Sequence, residues 1–158
     1  MPTYVLSIKA ELENVASLIP LNNVMWKFDI VNSSSERKQG ITVGAADELE
    51  LSGSRGTANF VMKWPGEKHE SYIKIVHVKK VTTQYDSGDS GNFKAILGLE
   101  CRGIEIERWI PGDDFVVESA SGVIFENVDL TENDWADYDE KNDESVSITD
   151  LEYKIEKK

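Results

Sequence analysis

The chain has 158 residues, which is near the commonest size for one domain, so we expect a single domain over residues 1–158. With 40% hydrophobic and 29% charged residues it falls in the globular class rather than the disordered or membrane-spanning class. A formal net charge of −12 argues against nucleic acid and anionic membranes as partners, because phosphate contacts require lysine and arginine.

The first half of the chain predicts β-strands by alternation of apolar and polar side chains. Residues 4–12 alternate in this way and lack the basic start and unbroken apolar stretch of a secretory signal, so we expect the first strand there. Similar patterns predict strands over residues 25–31 and 57–64. Residues 71–83 are rich in Ile, Val and Thr and apolar on both faces, which predicts a long central strand, the most buried one.

The second half continues the pattern with shorter strands. A connection rich in Gly, Asp and Ser at residues 85–92 predicts that the next strand, residues 93–101, pairs with the strand before it. Three short strands are expected at residues 104–110, 115–118 and 123–128. The last strand, residues 146–155, changes phase between Ile148 and Leu151, as a β-bulge requires. The predicted fold is all-β and mostly antiparallel, a two-sheet sandwich or pseudo-barrel.

A short internal echo raises the question of a duplicated fold. Residues 15–20 have the pattern Val-x-x-Leu-Ile-Pro, and residues 106–111 have the pattern Ile-x-x-Trp-Ile-Pro with the same spacing. Two copies this short fall below what normally defines a repeat. The echo therefore has two readings, which are chance and two related halves.

The only cysteine, Cys101, favours a reducing compartment, so we expect the cytoplasm, with the nucleus as the alternative. Arg102 beside Cys101 permits a reactive thiol, but the parity of the strand places Cys101 on the apolar face as a small core residue. His69 and His77 lie in no recognisable nucleophile motif, and both are interpreted as structural. We therefore predict no catalytic residues.

Residues 129–144 form the most unusual segment, with eight carboxylates against one lysine. The order of an EF-hand is absent, so a calcium site is not expected. The segment is either a solvated acidic loop or a docking surface for a protein partner with a basic surface. The candidate surface residues are Asp134, Trp135, Asp137, Tyr138, Asp139 and Glu140.

The chain as a whole resembles the eukaryotic family of CXXC-motif-containing zinc-binding proteins, whose function is obscure. The resemblance rests on residues 10–15, on Gly53, Arg55 and Gly56, on residues 92–93, on Glu100, Cys101, Arg102 and Gly103, and on residues 134–141 and 144–146. These segments are ordered along nearly the whole chain. The resemblance implies a β-rich sandwich or pseudo-barrel, in agreement with the alternation.

Members of that family typically carry two Cys-x-x-Cys pairs that form a four-sulfur zinc site. The resemblance puts the first pair at Asn32 and Ser35 and the second at Trp64 and Glu67, so all four ligands are missing here. We expect a folded protein without zinc or another cofactor, because a domain of this size need not depend on a metal to fold. A residual site that uses Glu36, Glu67 and His69 is the alternative.

Two classes of function follow from these residues. The first is a non-enzymatic interaction module or scaffold, displaying the acidic segment or keeping the family fold without metal. The second is a thiol-reactive protein or small enzyme that uses Cys101 with Arg102.

Overall fold

The protein is described by a computed structural model, and the description that follows concerns residues 2–53 and 56–158. The strands are β1 (Thr3–Glu13), β2 (Val15–Pro20), β3 (Met25–Val31), β4 (Arg37–Gly44), β5 (Leu49–Glu50), β6 (Thr57–Ala58), β7 (Phe60–Met62), β8 (Ser71–Val76), β9 (Tyr85–Asp86), β10 (Lys94–Arg102), β11 (Glu105–Ile110), β12 (Phe115–Ser119), β13 (Ile124–Val128), β14 (Trp135–Asp139) and β15 (Glu144–Lys157). Every strand pairing among the described residues is antiparallel, and the helical content is one 3₁₀ turn at Ser87–Asp89. The all-β prediction is confirmed.

Three main sheets surround one hydrophobic core. The largest has the order β14-β15-β1-β10-β8-β7, and the two others have the orders β11-β3-β4 and β13-β12-β2-β9. Large side chains from all three, such as Leu6, Phe28 and Val117, are at most 1% exposed and belong to the same apolar cluster. Among the described residues no helix is long and apolar enough to cross a membrane.

The chain passes between sheets at two sharp corners. Asn14 alone separates β1 from β2, and its φ of 54° lies in the left-handed region that Asn tolerates. Gly103 follows β10 with a φ of 71°, and a Cβ at this position would collide with the Ser71 side chain. Glycine is therefore required here by both backbone conformation and space. These corners curl the long strands into a partly closed barrel.

The strand order agrees with two related halves. Exchanging β1 with β10, β15 with β8 and β14 with β7 leaves the order of the largest sheet unchanged. Exchanging β2 with β11, β3 with β12 and β4 with β13 in the same way matches the order β11-β3-β4 with the order β2-β12-β13. The echoed residues 15–20 and 106–111 fall on β2 and β11 with the turn that follows it. The displacement that relates Val15 to Ile106 also relates Leu6 to Leu97, and these two leucines face each other across β1 and β10.

Two strand predictions were wrong in length. The predicted strand 57–64 is interrupted at Asn59, whose side chain accepts a hydrogen bond from the Ile75 amide at 2.8 Å and donates one to the Gly44 carbonyl at 2.9 Å. The predicted central strand 71–83 ends at Val76, because the chain turns at Lys80, which has a φ of 69°. The centre of the sheet is β1 and β10, and residues 4–8 of β1 are each at most 6% exposed.

The other strand predictions fit the structure closely. The strand β10 pairs with β8 as predicted, and β12 pairs with β13. The predicted bulge in the last strand is confirmed, because Lys9 is opposite Glu152 while Glu11 is opposite Thr149, which leaves Asp150 and Leu151 against a single residue of β1. Asp150 has the φ of 54° that absorbs the extra residue.

Candidate functional site

Asn32 and Ser35, the positions of the first missing ligand pair, lie in the turn between β3 and β4. The Asn32 side chain holds the backbone of this turn. Its side-chain oxygen accepts hydrogen bonds from the amides of Ser34 at 3.0 Å and Glu36 at 2.9 Å. Its side-chain nitrogen donates to the Glu36 carboxylate at 3.1 Å, and the Ser35 amide donates to the Asn32 carbonyl at 3.0 Å. Asn32 is only 8% exposed, so its side-chain amide, rather than water, forms the hydrogen bonds that the backbone groups of the turn require.

The second predicted pair lies in the turn that follows β7. The Glu67 amide donates to the Trp64 carbonyl at 3.1 Å, and Gly66 supplies the positive φ, 83°, that the turn requires. The Trp64 ring is 4% exposed and packs in the main core, and its indole N–H donates to the Gly103 carbonyl at 2.8 Å. The indole thus fills the space beside the corner between β10 and β11.

Both turns lie next to this same corner. Trp64 contacts Gly103, and Glu105, which begins β11, is paired with Val31, the residue before Asn32. Among residues 2–53 and 56–158, no group of three or more His, Cys, Asp or Glu side chains is placed to share a metal ion. Glu36, Glu67 and His69 therefore do not come together as a residual site. Zinc in proteins is bound by thiolate, imidazole or carboxylate, and of the four ligand positions Glu67 alone carries such a group.

The acidic segment is a hairpin rather than a loop, which corrects the simpler of the two readings. The strand β14 pairs with β15 from Trp135 opposite Ile148 to Asp139 opposite Glu144, and β14 ends the six-stranded sheet. We call residues 134–144 the acidic hairpin. The many charged residues obscure a weak period-two pattern in the sequence of β14. Trp135 and Asp139 face inward in this pattern, whereas Ala136 and Tyr138 are exposed.

The six predicted surface residues divide into two groups. Trp135 is half-buried and packs edge-to-face on Phe125 with ring centroids 5.5 Å apart. Asp139 is 3% exposed, and its carboxylate accepts hydrogen bonds from the Asn142 amide at 3.1 Å and side chain at 2.7 Å, which lowers the pKa of Asp139. Trp135 therefore packs the hairpin against β13, and Asp139 fixes the turn of the hairpin.

The remaining members of the predicted surface face solvent. The Tyr138 ring is 47% exposed, and its hydroxyl contacts the Asp143 carboxylate within the hairpin. Asp134, Asp137 and Glu140 are exposed, and within the described part of the chain none of the three forms an ion pair. The hairpin thus presents uncompensated carboxylates at the edge of a sheet.

Cys101 lies in the core at 0% exposure, opposite Ile73 of β8. Burial, with a smaller contribution from the neighbouring Glu100 carboxylate, raises the pKa of its thiol to about 12. A thiol must ionise to act as a nucleophile, so this environment suppresses reactivity. Arg102 is exposed and opposite Tyr72, on the other face of β10 from the thiol. The structure offers no basis for the thiol-reactive alternative.

The other motif residues have structural positions. Gly53, with a φ of 75°, lies in a turn closed by a hydrogen bond of 3.1 Å from the Leu51 amide to the Gly56 carbonyl, whereas Arg55 lies outside the described residues. His69 and His77 are both exposed. Neither histidine has a nucleophile as a hydrogen-bond partner in the described structure.

Sequence reasoning missed Tyr85, which is fully buried in the connection between β8 and β10. Its hydroxyl accepts the Ala10 amide at 3.2 Å and lies 2.5 Å from the Asp89 carbonyl and 2.7 Å from the Asn92 carbonyl. Burial raises the pKa of this phenol. A single tyrosine in a polar connection carries no periodic signal, so only the tertiary contacts reveal its role.

The three antiparallel sheets and the single 3₁₀ turn among the described residues define a small all-β protein with a curled, partly closed barrel. The chain belongs to the eukaryotic family of CXXC motif containing zinc binding proteins, whose family model matches residues 5–156. The sequence-based identification is therefore confirmed.

Relatives and solved structures cover the chain over nearly its whole length. The human CXXC motif containing zinc binding protein is 34% identical over 156 residues, which are 96% of each chain. A UPF0587 protein of Drosophila melanogaster is 36% identical over 95% of this chain and 94% of its own. A solved structure of a hypothetical protein from Plasmodium falciparum superimposes with a TM-score of 0.93 at 36% identity, covering 99% of this chain and 100% of the other.

Proposed function

We propose that this chain is a metal-independent member of the family and that it serves as a protein-interaction scaffold. Its docking surface is the acidic hairpin, and its partner carries a basic surface. The scaffold operates in the cytoplasm, or in the nucleus, where a single buried thiol remains reduced. Two properties of the described residues support this proposal, one for each part of it.

The absence of a zinc requirement is supported by the chemistry at the ligand positions. Asn32 already uses its side-chain oxygen to hold two amides, so the turn is stabilised from within. Trp64 offers a donor N–H rather than a lone pair, and that N–H is bonded to Gly103. A metal ion needs free ligand lone pairs, and neither the Asn32 oxygen, which already accepts two hydrogen bonds, nor the Trp64 indole provides one.

The docking role is supported by exposed carboxylates that a well-anchored hairpin holds at the sheet edge. Trp135 and Asp139 anchor the hairpin, so a partner does not have to order it. The exposed carboxylates of Asp134, Asp137 and Glu140 create a negative electrostatic potential at the sheet edge. This potential attracts a basic partner during association. This uncompensated edge is the observation that carries the proposal.

Metal content and thermal melting on one preparation test the first part. We expect no stoichiometric zinc after dialysis and the same melting temperature with and without a chelator. Zinc that survives dialysis at one equivalent, or a melting temperature lowered by chelator, would refute metal independence.

Affinity capture from a cell extract, followed by in vitro binding of each captured protein in purified form, tests the second part. The test variant is Asp134→Asn/Asp137→Asn/Glu140→Gln, which removes three charges without touching the residues that anchor the hairpin. We expect purified partners with a basic surface to bind wild-type protein at least about tenfold more tightly than this variant, with the difference shrinking at high salt.

The matched control is Asp47→Asn/Asp113→Asn/Glu126→Gln, which makes the same change in net charge at exposed positions outside the hairpin. We expect the control to retain wild-type affinity. Equal losses in the two variants would show that only net charge matters, and equal retention would show that the hairpin is not the docking surface.

A further inference from the structure

A cleft of about 800 Å³ opens at the β7 edge of the six-stranded sheet, opposite the edge formed by β14. Its floor is the outer face of the sheet. In the strand register Val61 is opposite Tyr72, which is opposite Arg102, and Lys74 follows two residues along the same face of β8. Leu51, Ser52 and Gly53 line one side of the cleft.

The lining of the cleft is basic, although the chain as a whole is strongly acidic. Lys63, Lys68, Lys74 and Arg102 all line it. Within the described residues none of these four cations has a carboxylate within ion-pair distance. In a chain with a net charge of −12, four cations without an ion-pair partner among the described residues in one concavity are a marked departure from the average surface.

Two acidic groups lie near these cations and offset part of their charge. The carboxylate of Glu70, which also lines the cleft, accepts a hydrogen bond from the Ser52 amide at 2.5 Å and so stabilises this side of the cleft. Glu100 is opposite Lys74 in the register of β8 and β10. The cleft remains net positive because four cations outnumber these two carboxylates.

The base of the cleft is apolar. Leu51, Ala58 and Tyr72 form a small buried cluster that is separate from the main core, with Val61 packed against it. The Lys74 ammonium lies 5.1 Å from the centre of the Tyr72 ring, which holds this cation over the floor. A concavity with an apolar base and a few charged groups around it is a feature of small-molecule sites.

We propose that this cleft binds a small phosphate-bearing molecule. Arg102 supplies a planar fork of donors that matches phosphate oxygens, and the lysines supply point charges around it. The cations are gathered in one concavity rather than spread along a groove, and the chain as a whole carries a net charge of −12. Both properties select a compact anion over a nucleic acid or a membrane surface, which need an extended basic path.

Isothermal titration of the whole protein with pyrophosphate tests the site. We expect one equivalent to bind with a dissociation constant of about 1 mM or tighter, and we expect the affinity to fall as salt rises. The variants Lys74→Gln/Arg102→Gln and Lys63→Gln/Lys68→Gln should each weaken binding at least about tenfold. Lys63 and Lys68 are exposed, so the second variant tests the site even if the first unfolds.

The matched control is Arg108→Gln/Lys157→Gln, two exposed cations outside the cleft, and it should bind pyrophosphate as wild type does. Absence of heat at about 10 mM pyrophosphate, or an equal loss in the control, would overturn the proposal. Tighter binding of an oligoglutamate peptide than of pyrophosphate would also overturn it, in favour of a peptide site. The acidic hairpin lies at the other edge of the sheet, so either site can fail its test without affecting the other.

Discussion

Replacement of Trp64 is the sharpest test of how this member of the family holds its two turns together. The indole is 4% exposed, packs in the main core and donates to the Gly103 carbonyl at 2.8 Å. Trp64→Ala removes both interactions and leaves a cavity at the corner between β10 and β11. Trp64→Phe keeps most of the apolar packing and removes the hydrogen bond.

The two variants should differ by a predictable amount. Truncation of a buried tryptophan to alanine lowers the free energy of unfolding by about 3–5 kcal/mol through lost transfer energy and the cavity. Loss of one hydrogen bond to a partly exposed carbonyl lowers it by about 1 kcal/mol, because water can reach Gly103 in the variant. Trp64→Phe, which also shrinks the ring slightly, should therefore be destabilised by about 1–2 kcal/mol.

Urea unfolding followed by far-UV circular dichroism measures both values, and each titration is repeated with chelator. We expect the order wild type, Trp64→Phe, Trp64→Ala in decreasing stability, with no effect of chelator on any of them. A loss below about 1 kcal/mol for Trp64→Ala would show that the indole does not support the corner. Equal losses in the two variants would assign the stability to the hydrogen bond instead.

Three further outcomes follow from single side chains. Tyr85→Phe should lower the free energy of unfolding by about 1–3 kcal/mol, measured by urea titration, because the Ala10 amide loses its buried acceptor. The pKa of Asp86 is lowered, chiefly by the hydrogen bond from Ser17. The ionised Asp86 carboxylate therefore stabilises the fold fully above the ordinary pKa of 3.8, and this stabilisation is lost as pH falls through the lowered pKa. In Ser17→Ala, the melting temperature should become less sensitive to pH in that acidic range. Cys101 should not react with a thiol reagent at neutral pH in the native protein and should react fully in denaturant, because its pKa is raised to about 12.

Alternation of side chains was sufficient to predict the strands that cover the core. The strand at residues 25–31 was predicted with its observed bounds, and the phase change before Leu151 revealed a bulge, because burial on one face imposes a strict period of two. The same rule failed at residues 71–83. Apolar residues continue to Val81 there, but the turn at Lys80 depends on backbone conformation that composition does not report.

The candidate surfaces were less predictable than the strands. In the acidic hairpin the sequence indicated the charge but not the pairing with β15, because a half-buried Trp135 and a buried Asp139 depend on partners distant in sequence. The basic cleft was not predicted at all. Its cations are dispersed in the sequence: Lys74 and Arg102 are brought together by the register of β8 and β10, and Lys63 and Lys68 by the segment that follows β7.

If the two turns keep the backbone of a zinc site, the four side chains alone should decide whether metal binds. The variant Asn32→Cys/Ser35→Cys/Trp64→Cys/Glu67→Cys places four thiols at the positions that the family resemblance assigns. We expect it to bind one equivalent of zinc in a thiolate environment, because the amides of Ser34 and Glu36 now bonded to Asn32 are free to bond to sulfur.

Zinc should also reverse the destabilisation caused by the loss of Trp64. Structural zinc contributes about 10–16 kcal/mol of apparent binding free energy in finger peptides, which exceeds the about 3–5 kcal/mol lost with the indole. Chelator should therefore lower the melting temperature of the four-cysteine variant and leave wild type unchanged. The matched control keeps Ser35 and carries three cysteines, and it should bind zinc more weakly. Failure of the four-cysteine variant to bind zinc while remaining folded would mean that the turns have diverged in backbone as well as in side chains.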